Sequence, residues 1–371
     1  MGMLLWLLGT VVLLAYTNGA NDTFKGVATL FGSRTTGYRT ALWWAAVTTF
    51  AGSLTAVWLS TGLVKAFSGT GLVPDALTHD PSFLLAVALG AALTVMLATV
   101  GGLPISTTHA MTGALAGAGC IAVGSLNLAR LSQRFLLPLV LSPLISLTLA
   151  TILYPLLRFL RIRWGIERET CFCLDGGLWQ PVAMTPGGVA VLQPTGLTLG
   201  VGQLGQCMER YHGQVLGIDA QRALDCLHML SAGAVSFSRG LNDTPKIVAL
   251  LVAARGLGIP LASALFLTGT AMAAGGLLNA RRVATTMSER ITAMNHGQAF
   301  TANLVTALLI LVASHWGLPV STTHVSCGSL FGLGAVTGQG RWATVRAIVL
   351  AWVVTLPCAA VAAAVVYRQV A

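Results

Sequence analysis

The sequence predicts an all-α polytopic membrane protein that is built from two inverted repeats with broken helices and hairpins. Three observations lead to this fold class: the composition, the length of the apolar segments and an internal repeat. Of the 371 residues, 55% are hydrophobic and only 9% are charged, whereas a soluble domain carries about 25% charged residues. The composition therefore indicates a chain that is solvated largely by lipid.

The apolar segments have the length of membrane-spanning helices, which need roughly 20 residues. Because a strand of a membrane barrel needs only about 10, these lengths predict helices. A further segment, residues 3–32, is long enough to span if it contains a break. The six other apolar runs lie at about 40–63, 82–101, 135–157, 259–280, 297–316 and 344–367.

Two motifs occur twice in the same order. Asn21-Asp22-Thr23 recurs as Asn242-Asp243-Thr244, and in each case a lysine follows two residues later. The stretch GLPISTTH from Gly102 recurs as GLPVSTTH from Gly317. Because the spacing is nearly the same in both cases, the pattern indicates an internal duplication. We expect a first repeat over 1–160, a connecting segment over 161–224 and a second repeat over 225–371.

The distribution of cations predicts how the repeats are oriented. With the connecting segment inside the cell, thirteen of the 21 Lys and Arg residues fall on the inner side, five on the outer side and three in or beside the motifs. Lys and Arg favour the cytoplasmic side, so we expect outside N- and C-termini and a cytoplasmic centre. Each repeat then crosses an odd number of times and the repeats are inverted. Since these cations lie in short loops between apolar segments, the net charge of +10 reflects membrane orientation and not a nucleic-acid-binding surface.

The connecting segment is rich in Gly and Pro and carries short β-like runs, such as VAVL at 189–192, which predict a small hairpin. It also holds Cys171 and Cys173. A single C-x-C pair in a loop is weak support for a metal site.

The motifs predict broken helices within the membrane. Proline favours the first position of a helix, so we expect one helix to end near Gly240 and another to begin at Pro245. By symmetry, the first repeat should break over residues 19–23 and restart near Phe24. The two GLP-STTH stretches predict further helix starts near 104 and 319. A helix start carries unpaired N–H groups and a partial positive charge, which suit an anion, and broken helices at matching positions predict a transport site.

Two carboxylates lie deep in apolar segments, Asp22 and Asp243, and they occupy equivalent positions. The other nine acidic residues fall in loops or at helix edges. A carboxylate inside the membrane is a functional candidate by default, and the alternative is a helix cap or a helix–helix hydrogen bond. The hard oxygens of the two motifs suit a small hard cation such as sodium. These candidate cation ligands are Asn21, Asp22, Ser106, Thr107, Asn242, Asp243, Ser321 and Thr322.

The basic residues of the motifs leave alternatives open. Lys25 and Lys246 either attract an anion or pair with the nearby carboxylates or snorkel. His109 and His324 either titrate and contact the substrate or pack as hydrogen-bonded core residues. Arg239 has Asn18 at its equivalent position, so any role would be asymmetric.

The residues GAND and GLND, each followed by an STTH hairpin, resemble the inorganic phosphate transporter (PiT) family. The resemblance covers both motif regions and the arrangement of spans, but not the connecting segment. It implies a secondary transporter of the bacterial inner membrane, a homodimer without a cofactor, that imports phosphate by cation symport. It also implies a phosphate site lined by the two motifs: Asn21, Asp22, Thr23, Ser106, Thr107, Thr108, Asn242, Asp243, Thr244, Ser321, Thr322 and Thr323.

One position departs from the family pattern. Many members carry a small or neutral residue where Lys25 stands, whereas a lysine at the position of Lys246 is more familiar among bacterial relatives. Two lysines change the charge of the site and leave both the coupling ion, sodium or proton, and the anion open.

The hypothesis from sequence is therefore a phosphate:cation symporter that works by alternating access and is not an enzyme. The rival within the same class is a sulfate permease. A remote alternative is an intramembrane aspartyl protease, because two buried Asp residues can share a proton, although this chemistry does not use a duplicated hairpin. A receptor or scaffold that binds the anion without transport is the third alternative.

Overall fold

The computed structural model describes residues 2–59, 64, 67, 72–124, 126–164, 167–169, 172–175, 198–201, 210–212, 214–215, 218–254, 258–316, 318 and 320–371. By the contacts among these residues, the chain divides into two units, one comprising 1–158 and 224–371 and the other comprising 159–223.

Helices dominate the first unit. In chain order they are α1 Gly2–Asp22, α2 Ala28–Gly32, α3 Tyr38–Leu59, α4 Pro81–Val100, α5 Thr107–Val123, α6 Leu128–Leu131, α7 Leu137–Arg163, α8 Ala220–Ala253, α9 Leu261–Asn279, α10 Arg281–Thr285, α11 His296–His315, α12 Thr322–Thr337 and α13 Trp342–Val370.

Seven helices in the described part of the chain are long and apolar enough to cross a membrane. Six of them, α3, α4, α7, α9, α11 and α13, correspond to the six apolar runs of the sequence. The seventh is α1 together with the 3-10 turn Thr23–Gly26 that follows it. The predicted all-α polytopic fold is therefore confirmed.

Strands occur only in the connecting segment among the described residues. They form three two-stranded antiparallel sheets. The strands are β1 Glu167–Glu169, β2 Phe172–Asp175, β3 Thr198–Val201, β4 Arg210–His212, β5 Gln214–Val215 and β6 Ile218–Asp219, which pair as β1 with β4, β2 with β3, and β5 with β6. The VAVL run and Cys171 lie outside the described residues.

The predicted hairpins are present. Helix α4 ends at Val100, the chain turns at Gly102, and α5 runs back against α4. Gly102 has a φ of +68°, which is the left-handed region that glycine adopts without strain. In the second repeat α11 and α12 form the matching hairpin. Helices α5 and α12 begin at Thr107 and Thr322, three residues beyond the predicted starts near 104 and 319.

Two predicted breaks are misplaced. Helix α1 is unbroken through Asp22 and loosens only at Thr23–Gly26, so the break falls after the Asn-Asp pair. Helix α8 has no break at all, because it runs from Ala220 to Ala253 with Pro245 inside it. Proline removes only one backbone hydrogen bond, and membrane helices tolerate this loss when neighbouring groups satisfy the freed backbone. The predicted helix start at Pro245 is therefore wrong.

The first unit is built from interlocked halves. Helix α1 of the first half packs against α9 of the second, and α3 packs against α8. Small residues allow these close approaches, as is usual between membrane helices. A Cβ on Gly19 would lie 1.9 Å from the carbonyl oxygen of Met272, and one on Gly240 would lie 2.2 Å from that of Thr49.

The second helix of each hairpin also packs on a helix of the other half. Helix α5 packs on α13, with Gly117 against the backbone of Ala360, and α12 packs on α7, with Gly332 against the backbone of Leu147. For these two pairs of helix contacts, the contact from the first half to the second is matched by one between the equivalent residues with the halves exchanged. Such reciprocal contacts are typical of a two-fold relation.

Candidate functional site

The polar residues of both motifs meet in the interior of the first unit. Four elements supply them: the end of α1 with its 3-10 turn, the middle of α8, and the first turns of α5 and α12. Asp22, Lys25, Arg239, Asp243 and Lys246 are all buried. The site thus brings together five ionisable side chains from two segments that are distant in sequence.

Serine caps explain the repeated STTH sequence. Ser106 accepts a hydrogen bond on its Oγ from the backbone N–H of His109, at 3.1 Å, and Ser321 does the same for His324 at 3.1 Å. An N-cap hydroxyl that satisfies the third amide fixes where a helix begins. The two helix starts therefore sit at equivalent points, with their positive ends at the polar cluster.

Asp22 is held by groups of its own half and pairs with Lys25. Its Oδ1 accepts from Lys25 Nζ in a short, buried ion pair. Its Oδ2 accepts from Asn18 Nδ2 at 3.0 Å and from the Thr107 hydroxyl at 3.3 Å. Both carboxylate oxygens are therefore satisfied inside the protein, as a buried charge requires.

Asp243 repeats this arrangement in the second half. Its Oδ1 lies 3.3 Å from Lys246 Nζ and accepts from Asn242 Nδ2 at 3.2 Å. Its Oδ2 accepts from the Thr322 hydroxyl at 3.3 Å and lies 3.7 Å from Arg239 Nε. Both lysines therefore pair with the nearby carboxylates and do not snorkel.

The lysines also join the two halves. Lys25 Nζ donates to the Ile105 carbonyl at 2.8 Å and to Thr323 Oγ1 at 2.6 Å. Lys246 Nζ donates to the Val320 carbonyl at 2.8 Å and to Thr108 Oγ1 at 2.8 Å. Each lysine thus contacts the hairpin carbonyl of its own half and the third hydroxyl residue of the other half's STT sequence.

Arg239 breaks the symmetry. Its guanidinium donates to Asn18 Oδ1 at 2.8 Å, to Thr23 Oγ1 at 3.1 Å and to Thr49 Oγ1 at 3.3 Å. Asn18 occupies the position in the first half that is equivalent to Arg239 in the second. The two residues therefore contact each other although their side chains differ. A planar guanidinium with several fixed donors is suited to holding such a set of oxygens in place.

The charges of the cluster favour an anion. At their usual protonation states, Lys25, Lys246 and Arg239 contribute three formal positive charges and Asp22 and Asp243 two formal negative ones, so this buried site has a formal charge of +1. The first turns of α5 and α12 add partial positive charge. In addition, Asn242 Oδ1 has no hydrogen-bond partner among the described residues, and such an acceptor suits the hydroxyl of a protonated oxyanion.

The other predicted site residues lie at the edge of this cluster. Asn21 accepts from Lys25 Nζ at 2.7 Å and from the Ile105 amide at 3.1 Å, and donates to Thr99 Oγ1 at 2.9 Å. Thr244 instead hydrogen bonds to Ser53, at 2.7 Å, and faces Met272. Thr244 therefore faces α3 and α9, and the equivalent residue Thr23 also lies against α9, at Gly276.

The two histidines pack against each other across the halves. Their ring centroids are 4.5 Å apart, and His324 also packs on Trp352 at 4.0 Å. His324 Nδ1 lies 3.0 Å from the Leu139 carbonyl. The pair therefore ties the first turns of α5 and α12 to each other, while Trp352 Nε1 donates to the Pro104 carbonyl at 3.0 Å.

The structure brings into the cluster several groups that the sequence does not predict to lie there. Arg239 and Asn18 have one sequence signal, their equivalent positions three residues before the Asn-Asp pairs. The carbonyls of Ile105 and Val320 carry no side-chain signal, and only the hairpin geometry reveals them.

Known proteins resemble this chain over almost its whole length. Residues 18–363 match the profile described as "Phosphate transporter family". A protein of Rhizobium meliloti (strain 1021) named "Probable low-affinity inorganic phosphate transporter" is 29% identical, over 98% of this chain and 96% of its own length. A protein of Bacillus subtilis (strain 168) with the same name is 28% identical, over 95% and 92%.

A solved structure shares the fold. The structure entitled "The sodium-dependent phosphate transporter" superposes with a TM-score of 0.76 at 21% identity, covering 100% of this chain and 99% of the other. The seven candidate spans agree with the family match. The chain is a multi-pass membrane protein that belongs to the phosphate transporter family.

Proposed function

We propose that this chain imports inorganic phosphate across the bacterial inner membrane by cation symport, through alternating access between its two halves. The observation that carries the proposal is the buried cluster of three cations and two carboxylates at the starts of α5 and α12. Its single excess positive charge is matched by one monobasic phosphate ion, and an oxyanion accepts hydrogen bonds from ammonium, guanidinium, hydroxyl and amide donors alike.

The proposed binding residues are those of the two motifs, with Arg239 added. Hydroxyls of Thr107, Thr108, Thr322 and Thr323 lie around the charged groups. Asn18 and Asn242 supply amide groups next to the two carboxylates. Phosphate would enter by displacing some of the internal hydrogen bonds of this cluster.

Alternating access is supported by the repeat. Equivalent helices make equivalent contacts with the halves exchanged, and each half would cross the membrane an odd number of times if it is inverted. The candidate site lies where the halves meet, so tilting one half against the other would expose it to either side. We also propose outside termini, a cytoplasmic connecting segment and a homodimer, which rest on the cation distribution and on the family resemblance.

The protease alternative is disfavoured by the pairing of the two aspartates. An aspartyl protease needs two carboxylates that share a proton. Here Asp22 and Asp243 each contact a lysine of their own, so each is compensated separately.

Uptake of labelled phosphate into proteoliposomes tests the proposal. We expect accumulation under an inward sodium or proton gradient, and we expect excess unlabelled phosphate to suppress it while excess sulfate leaves it within about two-fold. Suppression by sulfate would instead assign the protein to sulfate transport. Saturable phosphate binding without any flux would identify the anion-binding receptor.

A further inference from the structure

The lysine ammonium of the first half sits in a cage of oxygens. Lys25 Nζ contacts Asp22 Oδ1, Asn21 Oδ1 at 2.7 Å, the Ile105 carbonyl at 2.8 Å and Thr323 Oγ1 at 2.6 Å. The cage thus combines a carboxylate, an amide, a backbone carbonyl and a hydroxyl. Such hard oxygens are the ligands that small cations take in proteins.

The second half holds an equivalent cage. Lys246 Nζ contacts Asp243 Oδ1 at 3.3 Å, the Val320 carbonyl at 2.8 Å and Thr108 Oγ1 at 2.8 Å. The carbonyl and the hydroxyl come from the positions that match those around Lys25. Both ammonium groups are buried. Two of the three lysines in the sequence are therefore placed in these cages.

These oxygens do not fit a sodium ion while the lysines are present. The sequence predicts sodium at Asn21, Asp22, Asn242 and Asp243, but one oxygen each of Asn21, Asp22 and Asp243 contacts a lysine ammonium instead. An ammonium is a compact point charge with three donors. A sodium ion among the same oxygens would lie next to it, and like charges in a site shielded from water repel strongly.

The charge balance points the same way. With both lysines and the arginine protonated and both aspartates ionised, the site has a formal charge of +1, which a monobasic phosphate ion neutralises without a sodium ion. One sodium ion would leave an uncompensated positive charge, and burial of an uncompensated charge is unfavourable.

We propose that the ammonium groups of Lys25 and Lys246 occupy the two oxygen cages in place of sodium, so that this protein binds and moves its anion without sodium. The lysines then determine the cation specificity of the transporter. This inference rests on the proposed function for its transport consequence, whereas its binding consequence is independent of flux.

Direct sodium binding is the first test. The purified full-length protein is assayed for binding of ²²Na⁺, and for a shift of its thermal unfolding when sodium chloride replaces choline chloride. The wild type should show no saturable binding and no shift. In Lys25→Ala and Lys246→Ala, vacated cages should acquire saturable sodium binding and a sodium-dependent rise in the unfolding temperature, whereas Arg346→Ala, which removes an exposed cation, should behave as the wild type.

Transport is the second test. Phosphate counterflow in proteoliposomes is compared in sodium and in choline. We expect the wild-type rates to agree within about two-fold and the rate of Lys25→Ala to be at least about five-fold higher in sodium. Saturable sodium binding by the wild type, or a tenfold loss of its counterflow in choline, would overturn the inference.

The remaining outcomes are also decisive. Folded lysine variants that bind no sodium would overturn the claim that the cages suit this ion. If the variants do not fold, the wild-type measurements alone decide. If the wild type moves no phosphate in any cation, the proposed function fails, while the binding assay still decides the question of the two cages.

Discussion

At the residue scale, the cluster follows from the cost of burying charge. An ionised side chain leaves water only if it is paired and hydrogen bonded, and both aspartates satisfy this condition with a lysine three residues later. That spacing places the two groups on one face of a helix, so these pairs could be predicted from the sequence. The place of Arg239 could not, since its partners Asn18, Thr23 and Thr49 come from the other half.

Removing either carboxylate charge should abolish coupled uptake. Asp22→Asn and Asp243→Asn keep the shape of the side chain but leave a buried lysine without its counter-ion. We expect phosphate uptake to fall to background while the purified protein stays monodisperse. The control is Asp80→Asn, because Asp80 caps α4 by accepting from the Ser82 amide and Asn caps about equally well. Normal uptake by both site variants would contradict the assigned role.

Replacing Arg239 by lysine should also impair transport, although the charge is kept. A lysine cannot reach Asn18, Thr23 and Thr49 together, because it lacks the planar fork of donors. Loss of a hydrogen bond to a charged group costs about 1.5–3 kcal/mol, and about 1.4 kcal/mol is a factor of ten in rate. We therefore expect counterflow to drop at least about tenfold, and a rate equal to that of the wild type would show that charge alone suffices.

At the element scale, the apolar runs predict the spans well, because length and hydropathy are properties of one helix alone. The breaks are predicted less well. Pro245 satisfies the rules for a helix start, yet α8 continues through it. Packing against α3 on one side and the polar contacts of Asn242, Asp243 and Lys246 on the other hold the helix together, and such tertiary contacts override a local preference.

Glycine contacts between helices should be sensitive to a single methyl group. A Cβ on Gly19 would lie 1.9 Å from the Met272 carbonyl oxygen, so α1 and α9 would have to separate. Overpacking of this kind typically costs about 1–3 kcal/mol, and we expect Gly19→Ala to lower the unfolding temperature and to disturb the adjacent Asn-Asp pair.

Gly9 provides the matched control on the same helix, because a Cβ there meets nothing within 4 Å. Alanine exceeds glycine in helix propensity by up to about 1 kcal/mol, so Gly9→Ala should be neutral or slightly stabilising. The comparison is made by thermal unfolding in detergent. Equal unfolding temperatures for the two variants would mean that the α1–α9 contact contributes little.

At the scale of the whole molecule, the two halves are interlocked and not merely adjacent. Helices α1 and α3 each pack on a helix of the second half, and the lysine of each half binds a threonine of the other. The duplication could be predicted from the sequence. The packing of each half's helices on the other half could not, because two similar segments do not indicate whether each packs on itself or on the other.

The orientation of the chain is the property on which the inverted arrangement depends. If thirteen of the cations mark the cytoplasmic side, the connecting segment is cytoplasmic and the C-terminus faces outward. Trypsin should then cut the segment, which contains Arg168 and Arg210, in inside-out vesicles but not in right-side-out vesicles. A C-terminal alkaline phosphatase fusion should be active and a green fluorescent protein fusion dark. Cleavage only in right-side-out vesicles would show that the topology is the reverse of the proposed one. Termini on opposite sides would exclude the proposed arrangement. Two inverted halves, each crossing an odd number of times, must return the chain to the side on which it began.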